Sequence, residues 1–338
     1  MDAAPRAAAG LKRARALLLL AGAGALSGCG SNRTNALHPE SHQSRDIATL
    51  WWWMLVGAAI GFALVCTILF AAWLRRRRAS GSEALGWRVV VAGGIAAPIV
   101  ILATLFVVAD LFVIRTTQAP AASKTKLTIR VVGHQYFWEV RYPGSPGVTA
   151  NEIHIPVQTA VNLQVQTDDV IHSFWVPELN RKIDTIPGRT NRILLYADKA
   201  GTYRGDCAEF CGLQHAHMGI LVFADPPADY QAWLARQARP APTPSDARAR
   251  RGHDLFMSGT CSTCHTIRGT KAQADVGPDL THVAGRTTLG ALTVPNTRTD
   301  LANWIRNSQQ VKPGNQMPAT HIPAADLDAL VAYLETLK

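Results

Sequence analysis

Two long uncharged runs, residues 50–74 and 89–114, constrain this chain more than any other feature in it. Each is long enough to cross the roughly 30 Å hydrocarbon layer as a helix. The only charge inside either is Asp110, near the far end of the second. Arg75, Arg76, Arg77 and Arg78 lie between the runs, which predicts a cytoplasmic connecting loop and both ends of the mature chain on the outer side. Trp51, Trp52, Trp53, Trp73 and Trp87 fall at the span ends, where an amphipathic ring suits the headgroup layer. Gly93, Gly94 and Pro98 predict a bend or a close helix contact, and Glu83 reads as a solvated carboxylate just before the second span.

Upstream, Lys12, Arg13 and Arg15 precede an apolar stretch ending in Leu26-Ser27-Gly28-Cys29. This resembles a bacterial lipoprotein signal, with 1–28 removed and lipid attached to Cys29; a plain secretory signal cut nearby is the alternative. A lipidated Cys29 requires the same outer side as the arginine run. Residues 29–115 then form an N-terminal segment plus the two-helix hairpin. Cys66, inside the first span, reads as a small buried apolar residue.

The formal charge of +10 raises nucleic-acid binding as a question, and its distribution answers it. Much of the excess sits beside the apolar runs, where it is a topology signal. Residues 124–225 carry ten basic and ten acidic side chains, and 248–338 carry ten against seven. Neither has the concentrated basic face that nucleic acid needs.

After Lys124 the pattern changes to short β-rich runs at 127–132, 136–142, 152–155, 161–166, 192–196 and 219–223, separated by turns. That predicts a β-sandwich over 116–238. Between the last strands stands Cys207-Ala-Glu-Phe-Cys211-Gly-Leu-Gln-His215-Ala-His217-Met218, with His172 well upstream. Two thiolates, imidazoles and a thioether suit copper cycling between oxidation states, whereas structural zinc favours a tetrahedral set without methionine. A disulfide between Cys207 and Cys211 explains none of the nearby histidines or Met218. Spacing does not choose between His215 and His217.

The segments around His172 (Val170 to Pro177), Ile186-Pro-Gly-Arg189 and the Cys207 to Met218 loop resemble the binuclear copper domain of cytochrome c oxidase subunit II. The resemblance extends over nearly all of 38–235 and implies a cupredoxin-like sandwich. It also implies two coppers bridged by Cys207 and Cys211, with His172 and His215 as terminal ligands, Met218 as thioether ligand and the Glu209 carbonyl as a further donor. The Glu209 side chain would hold a magnesium ion shared with the catalytic subunit. Tyr136, Trp138 and their neighbours resemble the family's region where electrons enter, although Tyr136 stands where tryptophan is usual.

Beyond a short amphipathic helix at 229–238, Arg239-Pro-Ala-Pro-Thr-Pro-Ser245 reads as a linker over 239–247, unable to hold a helix or bury much surface. A helix at 248–257 leads into Cys261-Ser-Thr-Cys264-His265, the attachment motif of a c-type haem: two thiols for the vinyl groups and an adjacent imidazole for the iron. Met317, in Pro313-Gly-Asn-Gln-Met317-Pro318, is the only methionine after Met257 and is the expected sixth ligand, with His282 or His321 the fallback. Residues 248–338 resemble an all-α class I cytochrome c, with Gly277-Pro278-Asp279-Leu280 flanking the haem and 326–337 as the closing helix.

Together these readings describe a multidomain chain: a transmembrane hairpin, a copper sandwich and a haem c domain, as in oxidases of the caa3 type. The resemblance implies the electron-input subunit of a proton-pumping terminal oxidase, in the bacterial cytoplasmic membrane with both globular domains outside. Its donor would be a cytochrome c or a quinol-oxidising complex, and its partners subunits I and III. The chain carries no multi-histidine membrane site, so oxygen reduction belongs to a partner. A nitric oxide reductase subunit and a free-standing copper and haem carrier are the alternatives, separated by which catalytic protein co-purifies.

Overall fold

The computed structural model describes residues 34–75, 83–119 and 125–338. Cys29, the 1–28 signal and Arg76 to Arg78 lie outside them. The first long helix, α1 (His42–Arg75), contains the first apolar run and extends beyond it at both ends. At a 1.5 Å rise per residue it is about 50 Å long, more than a bilayer core requires. Among the described residues nothing covers its apolar window. Trp53 and Phe62 are each more than 70% exposed, which only a non-aqueous surrounding satisfies.

The second span covers Ala84–Thr117 and is likewise uncovered. It runs as α2 (Glu83–Val89), a π-helical stretch at Val90–Ala96, α3 (Ala97–Ala109), a second π stretch at Asp110–Ile114 and α4 (Arg115–Thr117). The first widening contains Gly93 and Gly94 and ends just before Pro98, whose ring would crowd the carbonyl four residues back in a regular helix. The glycines and proline expected to bend this span therefore act through a change of helical pitch.

The outer end of α1 is tied to the β-domain. Ser41 Oγ donates to the Leu179 carbonyl at 2.5 Å and Ser44 Oγ to the Glu178 carbonyl at 2.7 Å. The Asp198 amide bonds to the Glu40 carbonyl at 2.9 Å. Asn180 Nδ2 reaches the Thr117 carbonyl of α4 at 3.4 Å, so both membrane helices bear on one corner of the sandwich.

The sandwich is built of β1 (Leu127–His134), β2 (Phe137–Arg141), β3 (Val148–Ala150), β4 (Glu152–Pro156), β5 (Val161–Thr167), β6 (His172–Trp175), β7 (Ile183–Thr185), β8 (Asn191–Leu195), β9 (Gly201–Cys207) and β10 (Gly219–Asp225). One sheet has the order β3-β2-β1-β5-β8 and the other β4-β10-β9-β6-β7. Alternate residues such as Ile129, Val131, Leu163, Val165, Ile220 and Val222 fill the core between them, around Trp138 and Phe174. Four of these strands, β3, β6, β7 and β9, are absent from the sequence reading. In β9 the buried positions are Tyr203, Gly205 and Cys207, which carry no apolar alternation. Gly205 is required there, since a Cβ would lie 2.5 Å from the Trp175 carbonyl oxygen.

Helix α5 (Pro227–Gln237) leads into the 239–247 stretch, which holds no helix before Ala247, in line with its prolines. Most of this stretch is exposed, but it is anchored at two points. Ala241 packs against the core of the following domain, its amide bonds to the Arg268 carbonyl at 2.9 Å, and Pro244 is buried. That domain packs α6 (Ala247–Ser258), α7 (Arg298–Arg306), α8 (Ser308–Val311) and α9 (Ala324–Leu334) around Phe256, Ile267, Leu301, Leu330 and Tyr333. Its departures from an all-α reading are a two-residue hairpin, Thr288–Leu289 with Val294–Pro295, and a single β-bridge between Thr266 and Gln273.

Candidate metal and haem centres

The copper-type cluster forms where β6 and β9 meet: His172 opens β6, Cys207 closes β9, and Phe174 pairs with Cys207 across the ladder. The loop leaving Cys207 returns to the sheet at Met218, where the Cys207 amide closes it on the Met218 carbonyl at 2.9 Å. Inside this loop Cys207 Sγ lies 3.9 Å from Cys211 Sγ, His172 Nδ1 lies 3.9 Å from Cys207 Sγ, and His215 Nδ1 lies 3.7 Å from Cys211 Sγ. Met218 Sδ lies 3.9 Å from Cys211 Sγ, and the Glu209 carbonyl oxygen 3.2 Å from Cys207 Sγ. His172, Cys207, Cys211 and Met218 are all buried.

At 3.9 Å the two sulfurs are not joined; a disulfide bond is about 2.05 Å long. Of the two loop histidines, His215 faces Cys211, whereas His217 Nδ1 meets Gln214 Oε1 at 2.8 Å. Gly212, at φ +122°, turns the chain where a Cβ would lie 2.5 Å from Tyr136 Oη.

The electrostatics suit cation binding. The Cys211 thiol aimed at Cys207 holds the Cys207 pKa well below the usual thiol value, and the resulting thiolate pushes Cys211 up. These two sulfurs would hold a cation in exchange for that shared proton. Burial opposes protonation of His172, but its bonds to Asp169 and Cys207 outweigh burial and raise its pKa. Asp169 Oδ1 is 2.9 Å from His172 Nε2, a carboxylate contact that orients the ring and leaves Nδ1 facing the sulfurs. Trp138 packs edge-on against His172 at 5.7 Å and donates from Nε1 to the Met218 carbonyl at 3.4 Å. Trp138 is fully buried, whereas Tyr136 is half-buried and accepts a hydrogen bond from the Leu213 amide at 3.0 Å.

The second centre is a cavity of about 420 Å³ lined by Cys261, Cys264, His265, Gly277, Pro278, Leu280 and Met317. His265 Nδ1 contacts the Pro278 carbonyl at 2.8 Å, which fixes it as the donor and leaves Nε2 as a free ligand atom. Burial lowers the His265 pKa and keeps the ring neutral. At Gly277 a Cβ would lie 2.5 Å from His265 Cε1, so the ring is seated against bare backbone. Across the cavity, Met317 is held through its carbonyl by Ser308 Oγ at 2.6 Å and Gln309 Nε2 at 2.7 Å. His282 is committed elsewhere, bonded to the carbonyls of Lys338 and Arg239, and His321 is exposed. The residues fit a haem: two thiols, an imidazole and a thioether share an apolar cavity with Arg286, whose buried Nε lacks a partner and suits an anionic propionate.

The wall of this cavity includes His134, Gln135, Tyr136, Phe137 and Asp169 of the β-domain. Gln135 Nε2 donates from there to the Cys211 carbonyl at 2.6 Å, so one side chain touches both centres. Sequence reading missed Gln135, Asp169, Arg286 and Lys312, for polar side chains carry no periodic signal and their roles depend on contacts across domains.

The comparisons agree with this layout. The family described as "Cytochrome C oxidase subunit II, periplasmic domain" matches residues 148–224, and the family described as "Cytochrome c" matches 249–338. Cytochrome c oxidase subunit 2 of Alkalihalophilus pseudofirmus is 32% identical over 93% of this chain and 94% of its own length. The chain belongs to the cytochrome c oxidase subunit 2 family. The corresponding subunit of Bacillus subtilis is 27% identical over 93% of this chain and 94% of its own. Among solved structures, the periplasmic domain of subunit II of cytochrome oxidase of Bradyrhizobium japonicum is 32% identical, covering 35% of this chain and 95% of that one at a TM-score of 0.33.

As a cytochrome c oxidase subunit 2, the chain is a component of a haem-copper oxidase, and its fused cytochrome c domain fits the caa3 type. The two domain matches imply a copper A centre and a haem c. The two apolar helices fit a membrane-anchored subunit.

Proposed function

We propose that this subunit takes electrons from an external cytochrome c or quinol-oxidising complex at its haem domain. It passes them to its copper domain and delivers them to an oxygen-reducing, proton-pumping subunit I. The observation that carries the reading is the shared wall: Gln135 lines the Cys261 and Cys264 cavity and bonds to the carbonyl of Cys211. Fusing the two sites on one chain replaces a diffusional encounter with an intramolecular one.

In this reading Cys261 and Cys264 would hold the haem covalently, with His265 and Met317 as donors to its iron. Cys207 and Cys211 would hold two copper ions, together with His172, His215, Met218 and the Glu209 carbonyl. When bound, the two groups supply one-electron carriers whose thioether and shared-thiolate ligation favours transfer without large rearrangement. The chain's own contribution is to hold these donors in place: Asp169 orients His172, the Pro278 carbonyl orients His265, and the sandwich keeps water from the sulfurs.

Partner docking has support in an exposed apolar rim beside the copper site. Phe210 is 76% and Leu213 81% exposed, with Val170 and Ile171 also open. Subunit I is proposed to cover this rim, and the Glu209 side chain, half-buried beside Phe210, to hold a magnesium ion completed by that subunit. A free-standing carrier has no use for such a rim. Placement in the bacterial cytoplasmic membrane with both domains outside, subunit III as a further partner and lipid on Cys29 belong to the same proposal.

The test is copper and haem content of the assembled oxidase, with electron paramagnetic resonance of the oxidised form. Two coppers sharing one unpaired electron, together with one covalent haem on this chain, is the expected result. One copper, zinc or a closed disulfide overturns the binuclear assignment.

A further inference from the structure

We infer that Lys312 is the positioning residue that fixes the haem domain in its transfer pose on the copper domain, by donating to backbone carbonyls of both. Its side chain is 2% exposed. Nζ lies 3.0 Å from the Tyr136 carbonyl and 2.8 Å from each of the His217 and Gly290 carbonyls. An ammonium has three N–H donors and no acceptor, and here three carbonyl oxygens surround it.

The three acceptors belong to different parts of the machinery. His217 immediately precedes Met218 on the loop carrying the copper-type donors, and Tyr136 stands in the wall of the haem cavity. Gly290 begins the turn whose next residue, Ala291, accepts the Gly219 amide at 3.2 Å. Lys312 itself lies five positions before Met317. One ammonium thus ties the two methionine loops and the cavity wall together. Beside it Gln214 Nε2 donates to the Pro313 carbonyl at 2.5 Å, a second bond across the same seam.

Position, more than adhesion, is what such a group provides. Burying a charge is costly, and a well-packed apolar side chain often holds two surfaces together as well. An apolar side chain of the same length would fill the space but take the Lys312 donor from the Tyr136 and His217 carbonyls and leave Gly290 with Thr293 Oγ1 alone, with no single register preferred. Because the acceptors are backbone oxygens fixed by strands and turns, the ammonium is satisfied in one docking geometry only. The transfer it positions moves one electron from the haem site to the copper site and no proton or atom. The inference rests on the proposed function for what is transferred, but not for the docking itself.

The test uses the assembled oxidase with Lys312→Met. Amide hydrogen exchange in 213–219 and 288–293 is expected to quicken about tenfold, while the core helix Ala324–Leu334 keeps its protection. Flash-initiated haem-to-copper electron transfer should slow by about tenfold or more, with the copper resonance and haem spectrum of both sites retained. Lys271→Met removes an exposed charge from the same domain and should change neither readout. Unchanged exchange and rate in Lys312→Met overturn the inference, and so does loss of either spectrum, which would make the lysine a folding residue. In the unmutated protein the transfer rate should be indifferent to ionic strength, since the seam is buried; a steep salt dependence also overturns it. If the unmutated protein lacks one of the two centres, the functional reading fails while the exchange result still decides the docking role.

Discussion

Gln135 Nε2 donates to the Cys211 carbonyl at 2.6 Å from a position in the wall of the haem cavity. The backbone beneath it is held from the other side, where the Gln135 amide donates to Asp169 Oδ2 at 2.6 Å, and Asp169 in turn orients His172. A short polar path therefore joins the cavity wall to Cys211, which carries one of the sulfurs, and to His172 beside the other. Replacing Gln135 with Leu keeps the volume and removes one hydrogen bond, about 1 kcal/mol of local order. The expected outcome is a several-fold slower haem-to-copper transfer, measured by flash photolysis, with copper and haem content unchanged. Wild-type rates in that variant would show that the contact does not contribute to the route.

The haem domain depends on a close helix crossing. Gly252 of α6 meets α9 so tightly that a Cβ would lie 1.9 Å from the Ala329 carbonyl oxygen, a backbone atom that cannot swing aside. Gly252→Ala must push the two helices apart and is expected to cost at least about 2 kcal/mol. Thermal melting followed at the haem absorption should show a lower midpoint. The copper resonance should be untouched, because the sandwich has its own core.

Stability against acid should show the cap of the same helix. The Asp246 carboxylate accepts the Ala249 amide at 2.9 Å, and that bond holds its pKa below the usual carboxylate range. A depressed folded-state value means the contribution is complete above the unfolded value of about 3.9 and is lost as pH falls through the lower folded value. Asp246→Ala should therefore lower the haem domain's melting midpoint at neutral pH, and the gap from the unmutated protein should close below about pH 4. A gap that stays constant into strong acid would assign the effect to something other than the carboxylate.

What was legible in the sequence had local grammar. The Cys261 to His265 motif and the Cys207 to Met218 loop declare their chemistry through spacing, and strands such as 161–166 declare themselves through alternation. Strand β9 was invisible because its inward positions are Tyr203, Gly205 and Cys207, residues chosen for close approach and for chemistry. The choice of His215 over His217 needed the turn at Gly212 and the Gln214 contact, neither of which spacing contains. Arg268 anchors the entry to the 239–247 stretch: its guanidinium gathers the carbonyls of Gln237, Ala238 and Arg239 and its own carbonyl accepts the Ala241 amide, a partner well downstream that no local reading finds. Lys312 was unreadable for the same reason, since an isolated lysine reads as surface until the surrounding carbonyls are seen.

Met218 offers the sharpest separation of the two centres. Its sulfur lies 3.9 Å from Cys211 Sγ, the side chain is 1% exposed, and its carbonyl is bonded by both the Cys207 amide and Trp138. Leucine has nearly the same volume, and the carbonyl bonds come from the backbone, so Met218→Leu should fold and keep the loop closed. What changes is one soft donor beside the sulfur pair, and such ligands tune copper potentials. The haem cavity is lined by Met317 and is not touched by Met218. In the assembled oxidase the haem c should still become reduced by donor at the normal rate, the copper potential should shift, and oxygen uptake should fall. Full oxygen uptake with an unshifted copper resonance would remove Met218 from the ligand set and leave the cluster with the two cysteines, the two histidines and the Glu209 carbonyl.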